Sequence, residues 1–177
     1  MSSSSPRILV TGASGQLGAL VVEALLARLP ADRIVAAARH PQALDALAAR
    51  GVTVRRIDYG QPDTLDAALQ GVDRVLLVSS SEVGQRTAQH RNVIEAARRA
   101  GVSLLAYTSV LHADTSALLL ATEHRATEAL LRDAGVPYVL LRNGWYTENY
   151  TAALASALQH GAVLGSAGDG RIASATR

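Results

Sequence analysis

Cysteine and lysine are both missing from this 177-residue sequence. Without cysteine there is no disulfide framework, no thiolate nucleophile and no zinc–cysteine site. That absence suits a reducing compartment, and a cytoplasmic location is expected. All 17 basic residues are arginine, so a P-loop lysine and a Schiff-base lysine are excluded. Aromatics amount to 3%, and the arginines are scattered, with Arg55–Arg56 and Arg98–Arg99 the only adjacent pairs. A nucleic-acid binder clusters its positive charge and interleaves aromatic residues. A formal charge of +2 spread in this way therefore predicts no nucleic-acid partner. No apolar run reaches about 18 residues, so no membrane insertion is expected. The serine-rich start lacks the basic and apolar regions of a signal peptide, and residues 1–6 read as a flexible leader.

What is present is a core-forming chain, 49% hydrophobic, with a regular rhythm. Apolar runs at Arg7–Thr11, Ile34–Ala38, Val52–Ile57, Val75–Val78, Val102–Tyr107 and Pro137–Leu141 read as strands. Between them, helices are predicted over Gln16–Arg28, Pro41–Gly51, Pro62–Gln70, Gly84–Ala100 and Glu123–Ala134, several closed by a glycine. The strands are continuously apolar, as expected when both sheet faces are covered. Strands alternating with helices at this spacing predict an α/β fold. The expected fold is a Rossmann-like doubly wound parallel sheet with helices on both faces, in a domain of residues 7–177 that also holds the start of a substrate-side region.

The turn after the first strand reads "TGASGQLG", with glycines at 12, 15 and 18. A helix N-terminus exposes unpaired N–H groups and the positive end of its dipole. A pyrophosphate can rest there if no side chain intervenes. Gly12 would make the turn, Gly15 would admit the phosphates, and Gly18 would let helix and strand pack closely. The structural alternative is an ordinary tight turn. At the end of the second strand, where NAD sites usually carry an acid for the ribose 2′-hydroxyl, the chain has Arg39. A guanidinium suits a 2′-phosphate, which favours NADP(H) as cofactor; otherwise Arg39 is a solvated surface residue. Asp58 after the third strand suits the adenine amino group, or is an acid of the following turn. Ser79, Ser80 and Ser81 follow the fourth strand, at the edge where ligands lie in such sheets. Small hydroxyl residues there would let the nicotinamide ribose approach; otherwise they form a plain serine-rich loop.

Little conventional chemistry remains. A Tyr-x-x-x-Lys pair cannot exist without lysine, and no G-x-S-x-G elbow is present. In "EHRATE", His124 and Glu128 are four apart and share a helix face. Two ligands without a third make a poor metal site, and no metal is expected. They read as a surface pair, or His124 borders the pocket as a proton donor. "LLRNGWYTENY" gathers Trp145, Tyr146 and Tyr150 with Asn143 and Asn149. Flat rings with directional amides suit a planar ligand; the alternative is a local hydrophobic plug.

"TGASGQLG", "SSSEVGQR", "YTSVLHADTS" and "LRNGWYTENY" together resemble the bacterial NADPH:quinone oxidoreductases of the NmrA-like branch, within the atypical short-chain dehydrogenase/reductase superfamily. The likeness runs from about Arg7 to the end and implies two-electron reduction of a quinone by NADPH. Members are similar in lacking the tyrosine–lysine pair. Carried over, the cofactor contacts would be Thr11, Gly12, Ser14, Gly15, Gln16 and Leu17, then Arg39, Asp58, Ser79–Ser81, and Asn143, Gly144 and Trp145. On the substrate side, Trp145 and Tyr146 would wall the quinone and Asn143 would fix an amide or quinone oxygen. Tyr107, His124 or water would supply protons. The resemblance also implies a further C-terminal portion of roughly a hundred residues by domain-size arguments, so a truncated chain is one expectation. A homodimer is expected as the assembly. The alternative to an enzyme is an NADP(H)-binding redox sensor that regulates a partner without turnover; a sugar-nucleotide epimerase ranks last.

Overall fold

The computed structural model describes residues 5–163, 165 and 168–177; the first four residues of the expected leader lie outside them. The described chain divides into two compact units, Met1–Arg142 and Asn143–Arg177.

The larger unit is built on a six-stranded sheet in the order β3-β2-β1-β4-β5-β6. The strands are β1 (Ile8–Val10), β2 (Ile34–Ala38), β3 (Thr53–Arg56), β4 (Arg74–Leu77), β5 (Leu104–Val110) and β6 (Tyr138–Asn143). β1 pairs in parallel with both β2 and β4; β2–β3 and β4–β5 are parallel too. The order reverses direction at β1, which opens a crevice between β1 and β4 at the carboxyl ends of the strands. The helices are α1 (Gln16–Leu26), a short α2 (Asp45–Ala48), α3 (Pro62–Leu69), α4 (Arg86–Arg99) and α5 (Leu119–Asp133).

Why β2 can be apolar without a break is visible in its packing. All five residues of "IVAAA" are buried. Ile34, Ala36 and Ala38 face one core with Val10, Val22 and Leu44. Val35 and Ala37 face the other, with Leu65, Val93, Ile94 and Leu131. Successive strand side chains point to opposite faces, so a strand covered on both sides needs no polar alternation. Small alanines let the helices approach closely. The expected doubly wound sheet with helices on both faces is what forms.

Several boundaries differ from expectation. The helix expected from Pro41 to Gly51 is a single 3₁₀ turn, Pro41–Leu44, followed by the four-residue α2. Leu44 alone of these two pieces is buried, so little apolar surface favours a longer helix there. β5 continues to Val110, three residues beyond the expected end, because Thr108 and Ser109 are buried and find partners inside. α5 begins at Leu119, four residues early. β6 is less covered than the other strands: Tyr138, Val139 and Leu141 are exposed.

The smaller unit holds β7 (Trp145–Tyr146), α6 (Glu148–Thr151), α7 (Leu154–His160) and β8 (Ser174–Ala175). β7 and β8 pair in parallel, Trp145 opposite Ser174 and Tyr146 opposite Ala175. Thr147 N–H extends the pairing by donating to Ala175 O at 3.0 Å. The Arg177 guanidinium lies over the Tyr146 ring, 4.4 Å from its centroid.

Candidate nucleotide-binding site

The glycine turn takes the shape its sequence requires. Gly12 has φ +58°, a conformation costly for residues with a Cβ. Its carbonyl accepts a hydrogen bond from Gly15 N–H at 2.9 Å, closing the turn. Gly15 is the N-cap of α1, and no side chain caps the helix. The hydrogen bond Ala19 N–H→Gly15 O, 2.9 Å, opens the helical ladder. The amides of Gln16, Leu17 and Gly18 therefore have no intrahelical acceptor and stand at the positive end of the dipole. A Cβ on Gly18 would come 2.2 Å from Gly12 O and 2.9 Å from Ala13 Cα. The third glycine thus locks helix against turn, as the spacing predicts.

A cleft of about 340 Å³ opens in front of this turn. Of the residues expected to hold a nucleotide, Gly12, Ser14, Gly15, Arg39, Asp58 and Ser79–Ser81 line it together. They come from the ends of β1, β2, β3 and β4, which the sheet order places side by side. Leu17 and Gln16 sit just inside α1 and do not line the cleft. Asp58 forms the turn that one of its readings expects, and it also lines the cleft. Its Oδ1 accepts Gly60 N–H at 2.9 Å, an Asx-type turn.

Thr11 has another place than expected. It is fully buried below the cleft floor, and its Oγ1 accepts Val78 N–H at 2.9 Å while donating to Leu76 O at 3.2 Å. Tyr59 closes the same knot: its phenol reaches Thr11 Oγ1 and donates to Val78 O at 2.8 Å. Burial pushes the Tyr59 hydroxyl far above the usual phenol range. This clamp joins β1, β4 and the segment after β3 under the glycine turn.

The serine loop is more than a polar connector. Ser79 N–H donates to Thr108 Oγ1 at 2.8 Å, and Ser80 N–H donates to His90 Nε2 at 2.9 Å. Arg86 Nε donates to Ser80 O. An amide can only donate, so His90 Nε2 must be the accepting nitrogen. His90 Nδ1 then carries the proton and donates to Thr127 Oγ1 at 2.9 Å, while Thr127 Oγ1 passes its own proton to Glu123 O at 2.9 Å. The chain of bonds requires a neutral imidazole. Burial agrees, pulling the His90 pKa down to about 3. The loop backbone is therefore fixed from beneath by β5, α4 and α5.

His124 and Glu128 correct one expectation. They are not a surface pair: both are buried, at 4% and 1% exposure. His124 Nδ1 lies 2.7 Å from Tyr107 Oη, and Tyr107 is fully buried. Neither of the two lines the cleft. Glu128 accepts from Ser109 Oγ at 2.6 Å and from Arg142 Nε and Nη2 at 3.0 and 2.7 Å. Among the described residues no cluster of three acidic, histidine or cysteine side chains could hold a metal. No described helix is long and apolar enough to cross a membrane.

Residues 12–174 match the NAD(P)H-binding family. The chain belongs to that family. This NAD(P)H-binding chain is 61% identical over 170 residues to quinone oxidoreductase 2 of Escherichia coli (strain K12), covering 96% of this chain and 59% of that protein. The crystal structure of the NADPH-dependent quinone oxidoreductase of Escherichia coli complexed with NADPH superposes with a TM-score of 0.90 at 60% identity, over 96% of this chain and 60% of that one. Citrobacter sp. triphenylmethane reductase complexed with NADP(H) gives 0.83 at 42% identity, over 88% and 56%. The resemblance carried by the four sequence phrases is borne out. This NAD(P)H-binding chain spans about 59% of the length of the curated relative.

Sequence reasoning names none of seven further residues that line the cleft: Ala38, His40, Ile57, Tyr59, Val78, Glu82 and Gln89. Of these, Tyr59, Glu82 and Gln89 bring polar side chains; Glu82 stands within the phrase "SSSEVGQR" but is given no role there. Gln89 lies on α4, one residue before His90, and its helical register places it there. Asn143, Gly144, Trp145 and Tyr146 belong to the smaller unit. Trp145 is 38% exposed.

Proposed function

We propose that this chain carries the nucleotide site of an NADPH-dependent quinone reductase that transfers hydride directly to its substrate. The observation that carries the reading is Arg39. At the end of β2, where an acid would serve NAD, a guanidinium stands in the cleft lining beside the glycine turn. The cleft residues fit the cofactor: free helix amides behind Gly15, a turn only glycine adopts easily, and one cation for a third phosphate. The 61% identity to a protein named quinone oxidoreductase 2 supports the substrate class.

When bound, NADPH would supply the hydride. Gly12, Ser14 and Gly15, with the amides of Gln16 and Leu17, would bind the pyrophosphate. Arg39 would hold the 2′-phosphate and Asp58 the adenine side. Ser79 and Ser80, held by Thr108, His90 and Arg86, would with Ser81 present an edge to the nicotinamide ribose. A quinone is already an electron acceptor, so no activated hydroxyl is needed, and orientation with water exclusion does most of the work. Asn143, Trp145 and Tyr146 offer an amide and flat rings suited to a quinone. Tyr107 and His124 are sealed inside, so we assign quinol protonation to water and treat this pair as support for the serine loop. Cytoplasmic action as a homodimer, without nucleic acid, belongs to the same reading.

The test is oxidation of NADPH, followed by its near-ultraviolet absorbance, with menadione or a simple benzoquinone. Turnover dependent on quinone sustains the proposal. Tight NADPH binding without turnover points instead to a redox sensor. No binding of either pyridine nucleotide ends both readings.

A further inference from the structure

The cation that faces the cleft does not stand alone. Arg39 Nη1 donates to Glu82 Oε1 at 2.7 Å. Both residues line the cleft, and their side chains are 60% and 42% exposed. Glu82 is the anchored partner. Its Oε2 accepts Gln89 Nε2 at 2.7 Å, its N–H donates to Ser80 Oγ at 3.1 Å, and its carbonyl accepts Gln85 N–H at 3.1 Å. Arg39 reaches across to it from the end of β2, 43 residues away in sequence.

An anchored carboxylate on the guanidinium has a direct consequence for any anion that arrives there. A guanidinium has five N–H donors, so a phosphate can bind while the Glu82 contact persists. Two anions then share one cation, well within a Debye length of each other. A dianionic 2′-phosphate meets the full repulsion of Glu82, whereas a 2′-hydroxyl does not. The exposed ion pair itself is worth little, and the same solvent screening limits the repulsion, so the effect expected is a modest one, largest at low salt. We propose that Glu82 is a specificity-determining residue that weakens discrimination for 2′-phosphorylated nucleotides by offsetting the charge of Arg39. This rests on the 2′-phosphate reading of Arg39 given above.

Glu82→Gln isolates the charge, because glutamine keeps an oxygen acceptor for Arg39 while losing the negative charge. The probes are adenosine 2′,5′-bisphosphate and 5′-AMP, titrated calorimetrically into the full chain at low and high salt. Thermal melting shows whether each variant is folded. Glu82→Gln is expected to tighten the bisphosphate by about three- to tenfold at low salt, as Coulomb's law at intermediate dielectric gives, with 5′-AMP changed by less than about twofold and the gain fading at high salt. Glu82→Asp retains the charge and should show no such gain. Arg39→Ala should abolish the preference for the bisphosphate. If Arg39→Ala does so but Glu82→Gln leaves affinity unchanged, or improves both probes equally, the role of Glu82 is refuted and the reading of Arg39 stands. If Arg39→Ala leaves the preference intact, the reading of Arg39 itself fails, and the role of Glu82 with it.

Discussion

Tyr107 Oη and His124 Nδ1 lie 2.7 Å apart in the interior, next to a second buried histidine whose ring stands edge-on to the same phenol. Burial raises the Tyr107 pKa far beyond its usual value and lowers that of His124 to about 4. Both groups are thus neutral near pH 7. His90, pulled to about 3 by burial, with His124 and Arg86 adding to it, is neutral as well.

Acid should therefore loosen this protein earlier than its carboxylates alone would. A free histidine titrates near 6.5, so below that pH the unfolded chain binds protons that the folded chain refuses. The sign follows: stability present above about pH 6.5 is lost as the pH falls toward 4, and further toward 3 for His90. Each such histidine contributes a slope of up to about 1.4 kcal/mol per pH unit. Urea midpoints between pH 7 and 5, a range in which ordinary carboxylates stay ionised, should fall steadily, and His90→Asn should flatten the trend. A midpoint independent of pH over that range would show that the two imidazoles are not held neutral.

Glu128 is another buried titratable group, and it is satisfied differently. It is 1% exposed and bonded to Ser109 and, through two nitrogens, to Arg142. Desolvation pushes its pKa up, but the hydrogen bonds from Arg142 and Ser109 outweigh this, and the net direction is down. Arg142 ties β6 to α5 through this carboxylate. Glu128→Ala removes the acceptor of Ser109 and leaves the half-buried Arg142 with Asp114, 3.3 Å away, as its remaining carboxylate partner, so unfolding free energy should drop by about 1–3 kcal/mol. Glu128→Gln, which still accepts from Ser109, should lose less. Chemical denaturation of the two variants measures the difference, and equal losses would mean that the charge accounts for the whole effect and the remaining acceptor for none of it.

What the sequence makes legible here is whatever depends on local geometry. The glycine turn, the both-sided burial of β2 and the cation after it are properties of short stretches. They can be read without knowing what lies across the sheet. Tyr59, Glu82 and Gln89 reach the cleft only because the order β3-β2-β1-β4 sets distant loops side by side. Glu128 reads as a surface acid until Arg142 and Ser109 are brought to it. Trp145–Tyr146 reads locally as a ligand-facing segment, but its strand character depends on a partner, Ser174–Ala175, almost thirty residues on. Pairing over that distance leaves no local periodicity to detect.

Gly18→Ala should be a folding mutant. Its Cβ would lie 2.2 Å from Gly12 O and 2.8 Å from Gly12 C, both backbone atoms of a turn that cannot retreat without moving β1. Overpacking of this kind costs about 1–3 kcal/mol and sometimes more. The expected result is a markedly lower thermal midpoint, with nucleotide affinity falling as a consequence. A variant as stable as the parent would mean that α1 can slide away from the turn freely.

Gly15→Val should behave in the opposite way, and the contrast separates packing from binding. Gly15 has φ −84° and ψ 168°, extended backbone that a β-branched residue adopts readily. Its Cβ would lie 3.2 Å from Gly12 O, a contact relieved by a shift of a few tenths of an ångström. The fold should survive with the thermal midpoint lowered by only a few degrees. Gly15 lines the cleft, however, and the valine methyl groups would stand in front of the amides of Gln16 and Leu17. A pyrophosphate kept from those donors loses charge-assisted hydrogen bonds worth about 1.5–3 kcal/mol each. Two such bonds correspond to roughly a hundredfold or more in NADPH affinity. Calorimetric titration beside a thermal melt reads both quantities on one preparation. A folded Gly15→Val protein that still binds NADPH tightly would place the phosphates somewhere other than the start of α1.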